Sequence, residues 1–236
     1  MTLRAVFFDF GGTLGYLNPV IDEPWKAWSK AARDLEIAIP DSEIQRVNKE
    51  ADRRFQGRIY EYHGRTEEFW KMRDTWAIER LGVTARRKEF FETLQAIFGD
   101  PSRVHLYPET REVLEETRTL GCHMGVISNF TDGLPIILQY HGLDVFFDSI
   151  TYSQAVGAEK PDSRVFLHAL QLARCEPEEA VHVGDSWEGD YLGASRAGMT
   201  ALWLNRDKRP APSPCKQIPD LRGLRPLLSL DDGNRV

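Results

Sequence analysis

Three cysteines in 236 residues, Cys122, Cys175 and Cys215, are too few and too scattered for a disulfide framework or a CxxC-type zinc site. The pattern is that of reduced thiols and points to a cytoplasmic protein. Long apolar runs are missing as well. The N-terminal stretch Leu3 to Phe10 is interrupted by Asp9, so neither a signal peptide nor a membrane span is expected. Positive charge is not in excess either. A formal net charge of −6 leaves no basic stripe to displace counterions from a nucleic-acid backbone. No internal repeat or low-complexity tract interrupts the chain, and 42% hydrophobic with 28% charged residues excludes a disordered one. Without secretion, the sequon Asn129-Phe130-Thr131 is read as chance.

What is present falls into two kinds of pattern. Leu3 to Phe10 is a β-branched and aromatic run stopping at Gly11-Gly12, the signature of a buried strand ending in a tight loop. From residue 16 to 103 apolar residues recur at helical spacing (Trp25, Trp28, Ala32, Leu35; then Phe69, Met72, Trp76; then Phe90, Leu94, Ile97) with charges between them and no strand. After Pro108 helices and strands alternate. Helices are predicted at 108–120, 134–141, 163–173 and 191–197, and strands at 123–128, 146–152, 180–183 and 200–204. Such alternation predicts a doubly wound parallel-sheet α/β core, Rossmann-like, from residues 1–15 and 104–236, with an all-helical insertion at 16–103. The chain would leave and re-enter the core near Gly15 and Arg103. The segment 205–217 reads as a surface loop and the tail from Asp231 as frayed.

Ligands of open parallel sheets bind beyond the carboxyl ends of the strands. Three predicted strand ends carry polar residues: Asp9, Ser128-Asn129 and Gly184-Asp185. Lys160 arrives in a loop just before a helix. A carboxylate at the tip of an apolar strand is costly unless something pairs with it. A lysine and a second acid at the same rim suit a charged ligand accompanied by a divalent cation. Each residue also has a plainer reading. Ser128-Asn129 would cap a helix, Asp185 and Asp190 would cap another, Lys160 would be a solvated loop lysine, and the glycines would serve a turn.

The motifs together resemble the haloacid dehalogenase superfamily. Phe8-Asp9-Phe10-Gly11-Gly12-Thr13-Leu14 is similar to its first motif, Val126-Ile127-Ser128-Asn129 to its second, Lys160-Pro161 to its third, and Val183 to Asp190 to its fourth. The helical stretch lies between motifs one and two, where the family places its C1 cap. The resemblance implies a hydrolase, a Mg²⁺-dependent phosphatase of a small phosphorylated metabolite. Asp9 would be the nucleophile, forming an aspartyl-phosphate, and Lys160 would neutralise charge on it and on the transferring group. Ser128, Asn129 and Gly12 would lie against the phosphoryl group. Mg²⁺ would be held by Asp9, Asp185 and the backbone carbonyl of Gly11, with Asp190 orienting that set from behind.

One position departs from the family. Its phosphatases carry an aspartate two residues after the nucleophile, a general acid and base, and here Gly11 stands there. Asp22, Glu23 and His63 of the helical stretch are candidate replacements. Two other readings follow from the gap. A 2-haloacid dehalogenase would use Asp9 without metal, but Asp185 would then set a second negative charge beside a carboxylate substrate. A non-catalytic binding protein on the same fold is the other.

Overall fold

The structure is a computed structural model, which describes residues 3–17, 23–56, 58 and 66–228. It divides into two compact units, residues 1–16 with 104–236, and residues 17–103.

The first unit is built on a six-stranded parallel sheet. Its central strand is β1 (Ala5–Phe8), all four residues of which are buried. After a short ribbon of β2 (Gly15–Leu17) and β3 (Val104–Leu106) come β4 (His123–Ser128), β5 (Ser149–Tyr152), β6 (Ala180–Gly184), β7 (Thr200–Leu204) and β8 (Gln217–Ile218). The sheet order is β5-β4-β1-β6-β7-β8. Side chains alternate across β1. Val6 and Phe8 join an apolar cluster with Val113, Leu114 and Leu138, while Ala5 and Phe7 join another with Val165, Phe166 and Ala169. Both faces of the sheet are therefore covered, as a parallel sheet requires. The covering elements are α5 (Thr110–Arg118), α6 (Gly133–Tyr140), α7 (Ser153–Val156), α8 (Ser163–Ala173), α9 (Gly193–Arg196) and α10 (Arg225–Leu228). The helical unit supplies α1 (Pro24–Asp34), α2 (Asp41–Phe55), α3 (Thr66–Arg80) and α4 (Arg87–Phe98).

Register decides what the sheet presents. Phe8 pairs with Val126 of β4 and with Val183 of β6. Asp9 is thus level with Ile127 and Gly184, and Ser128 and Asp185 each stand one step beyond it. The chain moves from β1 outward through β4 and β5, then returns to β6 on the opposite side of β1. Asp9 consequently sits at the switch point where a parallel sheet opens a crevice.

In the helical unit the amphipathic stripes meet in a core containing Trp28, Ile44, Val47, Ile78, Phe90 and Leu94, each 0% exposed. Truncating Trp28 or Phe90 to alanine would cost about 3–5 kcal/mol. Polar residues are buried beside this core, among them Asn48, Arg73 and Asp74. The buried Arg73 donates to Asp74 at 2.8 Å, to Asp52 at 2.6 Å and to Asn48 at 3.4 Å. Burial pushes the Asp74 carboxyl up to about 6, with Arg73 opposing the shift and Asp52 adding to it.

The predicted strand and helix positions hold for the long elements. The ribbon β2/β3 and the edge strand β8 were not expected, because strands of two or three residues carry no readable period. Gly15–Leu17 thus runs as a strand into a stretch read as wholly helical. The helix expected at 191–197 begins earlier, as a π-helical turn over Trp187–Leu192 that continues into α9. The tail from Asp231 lies outside the described residues. No described helix is long and apolar enough to cross a membrane.

Candidate active site

The end of β1 delivers Asp9, whose backbone N–H donates to Val183 of β6 at 2.8 Å. Only 5% of the residue is exposed. Its Oδ1 accepts from the Ser128 hydroxyl at 3.0 Å and from Lys160 Nζ at 2.7 Å. The ammonium also donates to the Ile127 carbonyl at 2.9 Å and to Asp190 Oδ1 at 2.5 Å. Three N–H donors therefore meet three acceptors, which is what allows a lysine to be buried at all. Asn129 holds the loop that brings Lys160 in. Its amide donates to the Lys160 carbonyl at 3.0 Å and its Oδ1 accepts from the Lys160 backbone N–H at 2.7 Å.

Asp190, 1% exposed, lies on the π-helical turn. Besides Lys160 it binds His182 Nε2 at 2.9 Å and the Ser186 backbone N–H at 3.0 Å. Gly184 makes room for it, since a Cβ there would lie 2.1 Å from the Asp190 carboxyl carbon. Gly12 does the same for Asp185. It has φ +76°, and its Cβ would fall 2.6 Å from the Asp185 carboxyl carbon. Its own N–H is used inside the turn, donating to the Gly15 carbonyl at 2.8 Å. The sequence expectation sets Gly12 against the phosphoryl group; in the structure it lies in the turn after β1, beside Asp185. What Gly12 provides is close approach between the loop after β1 and the turn after β6.

Ser128 and Asn129 do not cap α6, which begins at Asp132 with no side-chain cap. Asp190, by contrast, accepts from the backbone N–H of Ser186, the residue that caps the π-helical turn by accepting from Gly189. Of the helical-stretch candidates, Asp22 and His63 lie outside the described residues. Glu23 is described, its carboxylate taken up by the Trp25 indole at 2.5 Å and by Lys26.

Charge is out of balance at this rim. One carboxylate oxygen from each of Asp9, Asp185 and Asp190 lies within 4.8 Å of the others, against a single buried lysine. Burial disfavours the Lys160 ammonium, but Asp190 and Asp9 outweigh it and hold its pKa above the ordinary lysine value. Burial likewise disfavours the Asp190 anion, and Lys160 with His182 overcomes it, holding that carboxyl far below its usual range. The unsatisfied charge falls on the other two. Burial raises Asp9, with Lys160 opposing and Asp190 reinforcing. Asp185 is pushed up to about 6 by burial, then by Asp9 and Asp190. A hard divalent cation would restore balance, and carboxylate and carbonyl oxygens are its preferred donors. The residues fit such an ion. Asp9 and Asp185 are the acids placed to hold it, since both oxygens of Asp190 are already engaged by Lys160, His182 and Ser186.

His182 was missed in the sequence. Its signal was there: one imidazole inside the otherwise apolar strand Ala-Val-His-Val-Gly, 0% exposed, where a polar group needs a partner.

A doubly wound α/β protein with a buried lysine and three acids at its switch point is defined by these observations. Residues 3–198 match the haloacid dehalogenase-like hydrolase family. The chain belongs to that family and is a hydrolase. It is 33% identical over 184 residues to a phosphoserine phosphatase of Thermus thermophilus, covering 68% of this chain and 73% of the relative. A phosphatase structure of the family from Thermococcus onnurineus superposes with TM-score 0.71 at 28% identity, covering 99% of this chain and all of that one. A 2-haloacid dehalogenase structure from Pseudomonas syringae superposes with TM-score 0.73 at 23% identity, covering 97% of this chain and 99% of that one. At that identity the likeness speaks for the fold alone.

Proposed function

We propose that the protein is a Mg²⁺-dependent phosphatase of a small phosphorylated metabolite, with Asp9 as nucleophile. The observation that carries the reading is the company kept by the Asp9 carboxylate: Ser128 and Lys160 on one oxygen, and Asp185 within a cation's reach. Attack by Asp9 on phosphorus breaks the bond to the leaving oxygen and forms an aspartyl-phosphate, which water then cleaves to return the carboxylate and free phosphate. Lys160, anchored by Asp190 and Ile127, fixes Asp9 and offsets charge that accumulates on the phosphoryl oxygens. Ser128 orients Asp9 before attack and can turn to a phosphoryl oxygen once the carboxylate is engaged. Asn129 serves by holding the Lys160 loop. Bound at Asp9, Asp185 and the Gly11 carbonyl, Mg²⁺ would supply charge neutralisation for a dianionic substrate. The helical unit is read as the cap that selects the substrate. Relatives that act as phosphatases, including the Thermus phosphoserine phosphatase, support the reaction class.

The dehalogenase reading draws on Gly11, because that chemistry needs no acid two residues after the nucleophile. Asp185 weighs against it, since burial first, then Asp9 and Asp190, already raise its carboxyl to about 6, and a haloacid carboxylate would add another negative charge beside it. A phosphate-release screen over phosphometabolites and p-nitrophenyl phosphate, with and without Mg²⁺, tests the proposal. Activity is expected only with the metal and is lost in Asp9→Asn. Chloride release from 2-chloropropionate with no phosphate release would overturn it.

A further inference from the structure

The loop after β7 reads in the sequence as an ordinary surface connection, yet its side chains grip both halves of the acidic centre. Arg206 reaches the loop after β1. Its Nε donates to the Gly12 carbonyl at 3.2 Å and its Nη2 to the Thr13 carbonyl at 2.9 Å. Its Nη1 donates to Glu109 at 2.6 Å, and the guanidinium lies 3.5 Å above the Tyr107 ring. Glu109, 4% exposed, is locked at the start of α5. From β7 itself Trp203 Nε1 donates to the Asp185 carbonyl at 3.0 Å, and from the loop Arg209 donates to the same oxygen at 2.9 Å. The buried Asn205 braces the loop itself. Its amide donates to the Arg209 carbonyl and to Gln217, and its Oδ1 accepts from the Arg209 N–H, all at 2.8–2.9 Å.

These contacts matter because the two loops touch at Gly12 and Asp185, where not even a methyl group fits. Resting on the reading of Asp9 and Asp185 as a shared cation site, we propose that Arg206 is a positioning residue. It fixes the Gly12 and Thr13 carbonyls, next in the chain to Gly11, and Trp203 and Arg209 hold the Asp185 backbone, so the end of β7 and the loop after it set the spacing of the donors. A planar fork meeting three acceptors at once is a task for arginine, not lysine.

The sign of the effect separates positioning from bulk charge. Removing a cation beside a cation site strengthens metal binding by Coulomb's law. Loss of positioning weakens it. The test is calorimetric titration of the full chain with MgCl₂, using wild type, Arg206→Ala, the double variant Arg206→Ala with Glu109→Gln, and Asp185→Asn as the control. The double variant leaves no orphaned acid and preserves net charge, so it regains the thermal stability that the single variant loses. Both Arg206 variants are expected to bind Mg²⁺ about 10-fold or more weakly than wild type. If the double variant binds as wild type does, Arg206 only neutralises Glu109 and the positioning role is overturned. If wild type binds no Mg²⁺, or Asp185→Asn binds it unchanged, the cation-site reading itself falls, whatever Arg206 does.

Discussion

At Gly11 the chain has room for a side chain that it does not carry. A Cβ there would meet no heavy atom within 4 Å, in contrast to the crowding at Gly12 next door. Gly11→Asp should therefore fold normally and supply the missing proton donor. Turnover on substrates with poor leaving groups is expected to rise, by up to the ~10²–10⁴-fold typical of general acid–base help. Steady-state rates on alkyl and aryl phosphates would show it, and an unchanged rate would mean that another group already delivers the proton. Lys160 and Asp9 should behave differently when removed. Asp9→Asn keeps the acceptor for Lys160 and Ser128, so activity should vanish while the melting temperature stays close to wild type. Lys160→Ala strands two buried carboxylates and should cost roughly 3–5 kcal/mol of stability as well as activity. Asp9, Ser128, Lys160 and Asp185 were legible because each follows a strand or opens a loop at the rim where parallel sheets act. Arg206 was not legible. A charged residue in a proline-rich connection looks solvated, and only the fold shows that it faces the turn after β1.

Among elements, the pair α2 and α3 carries a charge arrangement open to a pH test. The buried Arg73 faces both the exposed Asp52 and the buried Asp74, so one cation is set against two acids. The Asp74 carboxyl at about 6 lies above its ordinary 3.8, which means that the folded protein holds this proton more tightly than the unfolded one. Its contribution to stability is fully present below 3.8 and is lost as pH rises through about 6, the reverse of a paired surface acid. The shift corresponds to at most about 3 kcal/mol. Asp74→Asn should therefore gain on wild type between pH 4 and pH 7. Urea unfolding of both proteins across that range checks it, and a constant difference would contradict it. Of the two helices, α3 was readable from its stripe of Phe69, Met72 and Trp76, whereas α2 was covered only by the reading of residues 16–103 as helical. The ribbon β2/β3 was not, since three residues per strand leave pairing to be set by the fold around them. The π-helical turn was not read, the helix being expected only from Tyr191, because nothing in Trp-Glu-Gly-Asp-Tyr-Leu announces a wider turn.

At the scale of the molecule, a parallel sheet brings four distant stretches of chain to one rim, and two glycines let their backbones close around the acids. The fold class and family follow from that order of motifs. The substrate does not, because the pattern of the helical unit resembles ordinary core and solvated faces and carries no recognition motif. The central claim is that phosphate passes through Asp9. Mass spectrometry of the protein, acid-quenched during Mg²⁺-supported turnover of p-nitrophenyl phosphate, measures this directly. A phosphoryl adduct on the peptide containing Asp9, absent from Asp9→Asn, is the predicted result. Phosphate release that continues in Asp9→Asn, with no adduct in wild type, would contradict it.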